Sequence, residues 1–398
     1  MAVLNRIAGF HEDMKAWRRH LHANPELSYR EVETARFVAD TLRSFGVEVH
    51  TGLAGTGVVG VLRGSRAGSA RIALRADMDA LAIHEATSLP YASRSPGVMH
   101  ACGHDGHTAM LLGAARYLAE TRNFAGTVHF VFQPAEEMGG EDGGAARMMR
   151  DGLFDRFPSD HIFGVHNWPG MPVGHFAVKA GPMMASGDSF AIRIIGSGGH
   201  AAQPQKTVDP VHIAAHVVLA LQAITSRHTD PFEAVVVSCT QMHGGDAYNV
   251  IPNALEIRGT VRVFDPVVRA GVEPRLRQIV AGICASFEAQ AEITYNRDYP
   301  TLVNDEGASV HAAAAADDVF GADHVERSPP QTMIVEDFAF MLRDRPGCYA
   351  WIGNGPDQDG RRLHSSRYDF NDDTLPFGAS YFARIVETQQ ASRETRAS

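Results

Sequence analysis

The sequence predicts an α/β protein: a mostly parallel sheet carrying a smaller ferredoxin-like unit, β-α-β-β-α-β, inserted into it. Three observations lead there. Short Val- and Ile-rich runs alternate with helical patterns through residues 1–166, as in a parallel sheet with helical crossovers. From about Ser186 the order becomes strand, helix, two strands, helix, strand. Helix-strand alternation then resumes after residue 297. The expected organisation is a larger domain in two parts, 1–185 and 298–398, around a smaller inserted domain, 186–297.

Taken in order, residues 4–21 carry apolar side chains at helical spacing and stop near Asn24-Pro25. Residues 29–45 form a second amphipathic helix closed by Gly46. Strands are expected at 47–49, 57–62 and 71–76, the last running into Asp77-Met78-Asp79. A helix over 108–121 precedes a strand over 127–132 that ends in Gln133-Pro134-Ala135-Glu136-Glu137. Gly139, Gly140, Gly143 and Gly144 make a turn, and the strand 160–165 ends at His166. Within the insert, strands are expected at 188–195, 234–241, 254–264 and 291–295, with helices at 209–227 and 266–287. Helices at 307–320, 337–343 and 377–390 and a strand at 349–352 complete the chain, and residues 392–398 are expected to fray.

Composition narrows the function. The formal charge of −10 and the lack of a basic block argue against nucleic acid or an anionic membrane as partner. No apolar run reaches the roughly 20 residues that span a bilayer. The first ten residues lack the basic-then-apolar order of a secretory signal. Cys102, Cys239, Cys284 and Cys348 are too scattered for a disulfide framework, so a cytoplasmic protein is expected.

The densest chemistry lies in His100-Ala101-Cys102-Gly103-His104-Asp105-Gly106-His107. Imidazole, thiol and carboxylate groups need partners when buried, and together they are material for a divalent metal site. The plainer reading is a surface turn that caps the helix through Asp105. Ligands of parallel sheets collect beyond the carboxyl ends of the strands, where Asp77, Asp79, Glu136, Glu137 and His166 are expected. Adjacent carboxylates repel unless a cation or proton divides their roles, so Glu137 is read as a ligand and Glu136 as the base that holds the proton of an attacking water. A solvated acidic turn is the alternative. A thiol nucleophile at Cys102 with His104 as its base is disfavoured, because the surrounding carboxylates would raise the thiol pKa. His166 and His364 gain meaning only beside this cluster; His100 and His107 are left unassigned.

In the insert, Gly196-Ser197-Gly198-Gly199-His200-Ala201-Ala202 presents one histidine from a glycine-bounded turn, suited to polarising a substrate carbonyl. Asn249 and Arg262 are further polar groups there. Arg262 can grip a carboxylate bidentately, or it is simply a surface strand residue.

These segments resemble a known family. Leu74-Arg75-Ala76-Asp77-Met78-Asp79-Ala80-Leu81, the stretch from His100 to Thr108, and Gln133 to Glu137 resemble metal-dependent amidohydrolases typified by hippurate hydrolase and N-acyl-L-amino acid amidohydrolase. Auxin-conjugate hydrolases and N-acetyl-diaminopimelate deacetylase are relatives. Gly164 to Pro169, Gly198 to Pro204, Lys206 to Pro210, Asn249 to Pro252, Glu336-Asp337-Phe338 and Leu363 to Asp372 extend the match along the chain. The resemblance implies two divalent ions (Zn, Mn, Co or Ni) held by Cys102, His104, Glu137, His166 and His364, with Glu136 as general base and Asp79 behind the ligands. It also implies a homodimer or higher homo-oligomer through the insert, whose His200, Asn249 and Arg262 touch substrate. The implied substrate is a small N-acyl amino acid, cleaved at its amide bond. Dipeptidase or carboxypeptidase action, and a non-catalytic metal-binding protein, remain alternatives; the latter predicts loss of Glu136 or a ligand, and all are present. Met138 and Val335 depart from residues common in relatives.

Overall fold

Eight strands form one sheet in the computed structural model, which describes residues 3–394. The first five are β1 (Glu48–Leu53), β2 (Gly57–Arg63), β3 (Arg66–Asp77), β4 (Ala125–Gln133) and β5 (His161–Trp168). The sheet runs β1-β2-β4-β3-β5, followed by Gly347–Gly353, Phe176–Ala177 and Val325–Glu326. β3 is parallel to β4 and β5, and β5 to Gly347–Gly353. Four central strands therefore share a direction, and their carboxyl ends open on one rim. β1 and β2 add an antiparallel margin.

The central strands are apolar on both faces, as a covered parallel sheet requires. Ile72, Leu74, Val128, Phe130, Phe132, Phe163, Val165, Ala350 and Ile352 are all buried. The helix His104–Thr121 packs between Leu375–Glu394 and His11–Ala23, which explains its nearly uniform burial.

Local chemistry shifts several expected boundaries. The first helix divides at Gly9 and Phe10 into Asn5–Ala8 and His11–Ala23. The helix expected from Thr108 begins at His104, so the polar cluster is its first turn. Its N-cap is Gly103, not Asp105; the Asp105 carboxylate instead faces His22 at 2.8 Å. β5 extends to Trp168, which places His166 inside the strand opposite Trp351 rather than beyond its end. The C-terminal helix continues to Glu394, and residues 395–398 of the segment expected to fray lie outside the described residues.

The chain forms two compact units: Met1–Met183 with Val303–Pro330 and Glu336–Ser398, and Met184–Leu302 with Gln331–Val335. The second holds an antiparallel sheet ordered Val235–His243, Ala254–Val263, Ser186–Ile195, Gln290–Tyr299. Pro210–Leu221 and Pro266–Ser286 pack together and on this sheet around Phe190, Ile192, Ile213, Val217, Leu276 and Val280. Asp209 and Asp265 cap these helices, each followed by proline at the first helical position. The expected helix over 209–227 breaks at Gln222 into Pro210–Leu221 and Ala223–Arg227. Among the described residues, no helix is long and apolar enough to cross a membrane.

Candidate metal centre

The rim of the large sheet gathers Cys102, His104, Glu136, Glu137, His166 and His364. β4 and β5 deliver the glutamates and His166, the helix start delivers Cys102 and His104, and the loop after Gly347–Gly353 delivers His364. Cys102 Sγ lies 3.4 Å from His166 Nε2. His104 Nε2 lies 4.0 Å from both Glu136 Oε2 and Glu137 Oε1. His364 Nε2 is 3.3 Å from Glu137 Oε1, without hydrogen-bond alignment. Ligand atoms of Cys102, His104 and His166 lie within 4.8 Å of one another, as do those of Cys102, Glu137 and His364.

Two buried atoms test whether such a group fits. His104 Nε2 and Glu137 Oε1 are shielded from water and hydrogen-bond to nothing. A carboxylate oxygen and a ring nitrogen left so are costly unless a cation joins them. The histidine tautomers agree. His104 Nδ1 is 2.9 Å from the Asp79 carbonyl oxygen and His166 Nδ1 is 2.6 Å from that of Asn167. A carbonyl only accepts, so the proton sits on Nδ1 and each Nε2 presents a lone pair. His107 uses both nitrogens within the protein, toward Asp77 Oδ1 at 2.6 Å and the Asn167 N–H at 3.0 Å, and is no ligand. Thiolate, imidazole and carboxylate donors of this mix suit Zn, Mn, Co or Ni.

Asp79 braces the glutamates. Its Oδ1 accepts the Glu136 N–H at 3.1 Å, and its Oδ2 accepts the Glu137 N–H at 3.0 Å and the Ser28 hydroxyl at 2.7 Å. Burial, then Glu336 and Glu137, pushes Glu136 well above the usual carboxylate range. Burial and then Glu137 also raise Cys102, which counts against a thiolate nucleophile. Burial opposes charge on His104, but Asp77 and Cys102 outweigh it and raise its pKa. The nearby thiol of Cys102 and then the carboxylate of Glu137 push His364 up to about 10. The donor set thus draws positive charge, as protons or as a cation.

Residues 73–388 match the model of Peptidase family M20/M25/M40. The chain belongs to that family. This M20 chain is 41% identical over 386 residues to hippurate hydrolase of Campylobacter jejuni, covering 97% of this chain and 99% of the relative. It is 46% identical over 301 residues to N-acyl-L-amino acid amidohydrolase of Geobacillus stearothermophilus, covering 75% and 80%. Among solved structures, the YXEP protein of Bacillus subtilis, a dinuclear metal-binding peptidase from the M20 family, superposes with TM-score 0.84 at 35% identity, covering 97% and 99%.

The other expected M20 site residues lie in the smaller unit. His200 pairs with Val250 across a two-stranded ribbon, and the Asn249 carbonyl accepts the Ala201 N–H at 3.0 Å, so the fold brings His200 and Asn249 together, both exposed. Arg262 lies on Ala254–Val263, half-buried, with Nη1 donating to the Val261 carbonyl at 3.0 Å and to the Thr260 hydroxyl.

Sequence reasoning missed the ion cluster behind Glu136. Arg75, fully buried, donates to Gln133 Oε1 at 2.8 Å, Asp77 Oδ2 at 2.6 Å, and Glu336 Oε1 and Asp337 Oδ1 at 3.0 Å each. The Asp337 N–H reaches Glu136 Oε1 at 3.4 Å. Burial pushes Asp337 up to about 8 against the pull of Arg75. An arginine in the apolar run 72–76 is the signal that marks it, since a charge there needs buried partners.

Proposed function

We propose that this chain hydrolyses the amide bond of N-acyl amino acids, releasing a carboxylic acid and a free amino acid. One observation carries the reading: the carboxylate of Glu136 stands 4.0 Å from the unpartnered nitrogen of His104, beside a Cys, His and Glu donor set. The names of the two relatives point to the same substrate class.

Cys102, His104, Glu137, His166 and His364 hold two divalent ions, which fits the dinuclear relative. Bound there, such ions polarise a carbonyl and make water more acidic. Glu136 takes the proton of the attacking water on its carboxylate and returns it to the leaving nitrogen. His200 donates to the oxyanion of the tetrahedral intermediate, and Arg262 and Asn249 hold the substrate's α-carboxylate. The smaller unit serves as lid and dimer surface, and the four free thiols suit the cytoplasm.

Glu136→Gln tests the base. Metal content should stay near that of the unchanged protein while kcat falls roughly 10²–10⁴-fold on hippurate or the best N-acyl amino acid. Substantial residual turnover rejects the assignment. The peptidase family name supports one second reading, dipeptide cleavage; kcat/KM across N-acyl amino acids and dipeptides separates the two.

A further inference from the structure

We infer that Glu31 is a positioning residue that locks the turn carrying Glu136 and Glu137 into the geometry the reaction needs. This rests on the proposed role of Glu136. β4 ends at Gln133, and the chain must then turn both glutamates toward the donor cluster. It does so through Ala135, held at φ 51°, a left-handed conformation unusual for a residue with a side chain. Pro134 has no N–H to anchor the turn. The next three amides are held by two buried carboxylates: Ala135 donates to Glu31 Oε1 at 2.8 Å, and Glu136 and Glu137 donate to Asp79.

Glu31 is well placed for this. It is fully buried, and its own backbone is the N-cap of Val32–Ser44, a rigid helix. Its second oxygen accepts the Thr56 hydroxyl at 2.7 Å, which fixes the carboxylate plane. On the far side of the strained residue, the Gly144 N–H binds the Ala135 carbonyl at 2.9 Å. Both faces of Ala135 are therefore clamped, so its conformation is imposed from outside the turn. Losing the Glu31 clamp lets Ala135 relax and swings the base away from the attacking water. A displacement of about 1 Å at the base is enough to slow chemistry without unseating substrate.

Hydrogen–deuterium exchange across residues 134–138 of the metal-loaded protein reads the clamp directly. In the unchanged protein these amides should exchange slowly although no strand or helix contains them. Glu31→Leu keeps bulk but offers no acceptor, and should speed exchange at least ~10-fold. Glu31→Asp is one methylene shorter, leaves Ala135 out of reach and should do the same, which serves if the leucine variant does not fold. Glu31→Gln keeps an acceptor and should stay slow. On hippurate, the Leu or Asp variant should lose roughly 10–100-fold in kcat with bound metal unchanged and KM little altered, and Gln should recover most of it. Rapid exchange in the unchanged protein, exchange unaltered by Leu and Asp, or full kcat in both variants overturns the inference. An unchanged protein inactive on all N-acyl amino acids would sink the proposed function instead, and exchange would still decide on Glu31.

Discussion

Asp79 shows how much a single side chain does here: its two oxygens hold the backbone of Glu136 and Glu137, while its carbonyl sets the His104 tautomer. Asparagine offers one acceptor where two amides need one each. Asp79→Asn should therefore weaken metal retention or turnover by about 10–100-fold, read as metal content after dialysis and as kcat/KM. The donor cluster itself was legible because such side chains have few other uses so close together. Arg75 and Glu31 were not, because partners that complete their sites lie far along the chain: Glu336 and Asp337, beyond nearby Asp77, for one, and Ala135 for the other. A lone buried ion gives the sequence no hint of where its counter-ion will come from.

At the scale of elements, the start of His104–Thr121 decides whether the donors meet. Gly103 sits at φ 97°, and a Cβ there would collide with Asn167 and Tyr368. Asn167 Nδ2 in turn holds the Cys102 carbonyl at 2.7 Å, and Tyr368 supports Asn167 at 2.6 Å. Gly103→Ala should cost at least about 1–2 kcal/mol from the backbone alone and lower metal content, measured by denaturant melts and elemental analysis. Gly282 is the contrast. It sits exposed in Pro266–Ser286 with open space around it, so Gly282→Ala should add about 0.5–1 kcal/mol in the same melts. Periodicity exposed these helices but misjudged the first turn of His104–Thr121, because its polar donors look like a loop until a site absorbs them.

At the scale of the whole molecule, the alternation of strands and helices revealed the parallel centre of the large sheet and the order of elements along the smaller unit. It could not reveal the two-residue strands Phe176–Ala177 and Val325–Glu326, which exist only as additions to an edge already formed. Because the donor cluster draws positive charge, stripping divalent ions should lower the melting temperature, and Zn, Mn, Co or Ni should restore it; a melt indifferent to chelator would contradict the site. Acid sensitivity has a separate source in His129. Burial, then Arg71 and His50, lowers it from 6.5 to about 4, so its neutral form favours the fold above pH 6.5, and that contribution is lost as pH falls toward 4. His129→Gln should flatten this limb by a few kcal/mol, seen as stability plotted against pH.

The proposed ligands run from Cys102 to His364, with His166 ahead of the smaller unit and His364 after it. During synthesis the ribosome emits four of the five well before the last, and the smaller unit must emerge in between. Cation capture at full strength thus belongs to the finished polypeptide, and a chain released early leaves the ribosome with an incomplete grip.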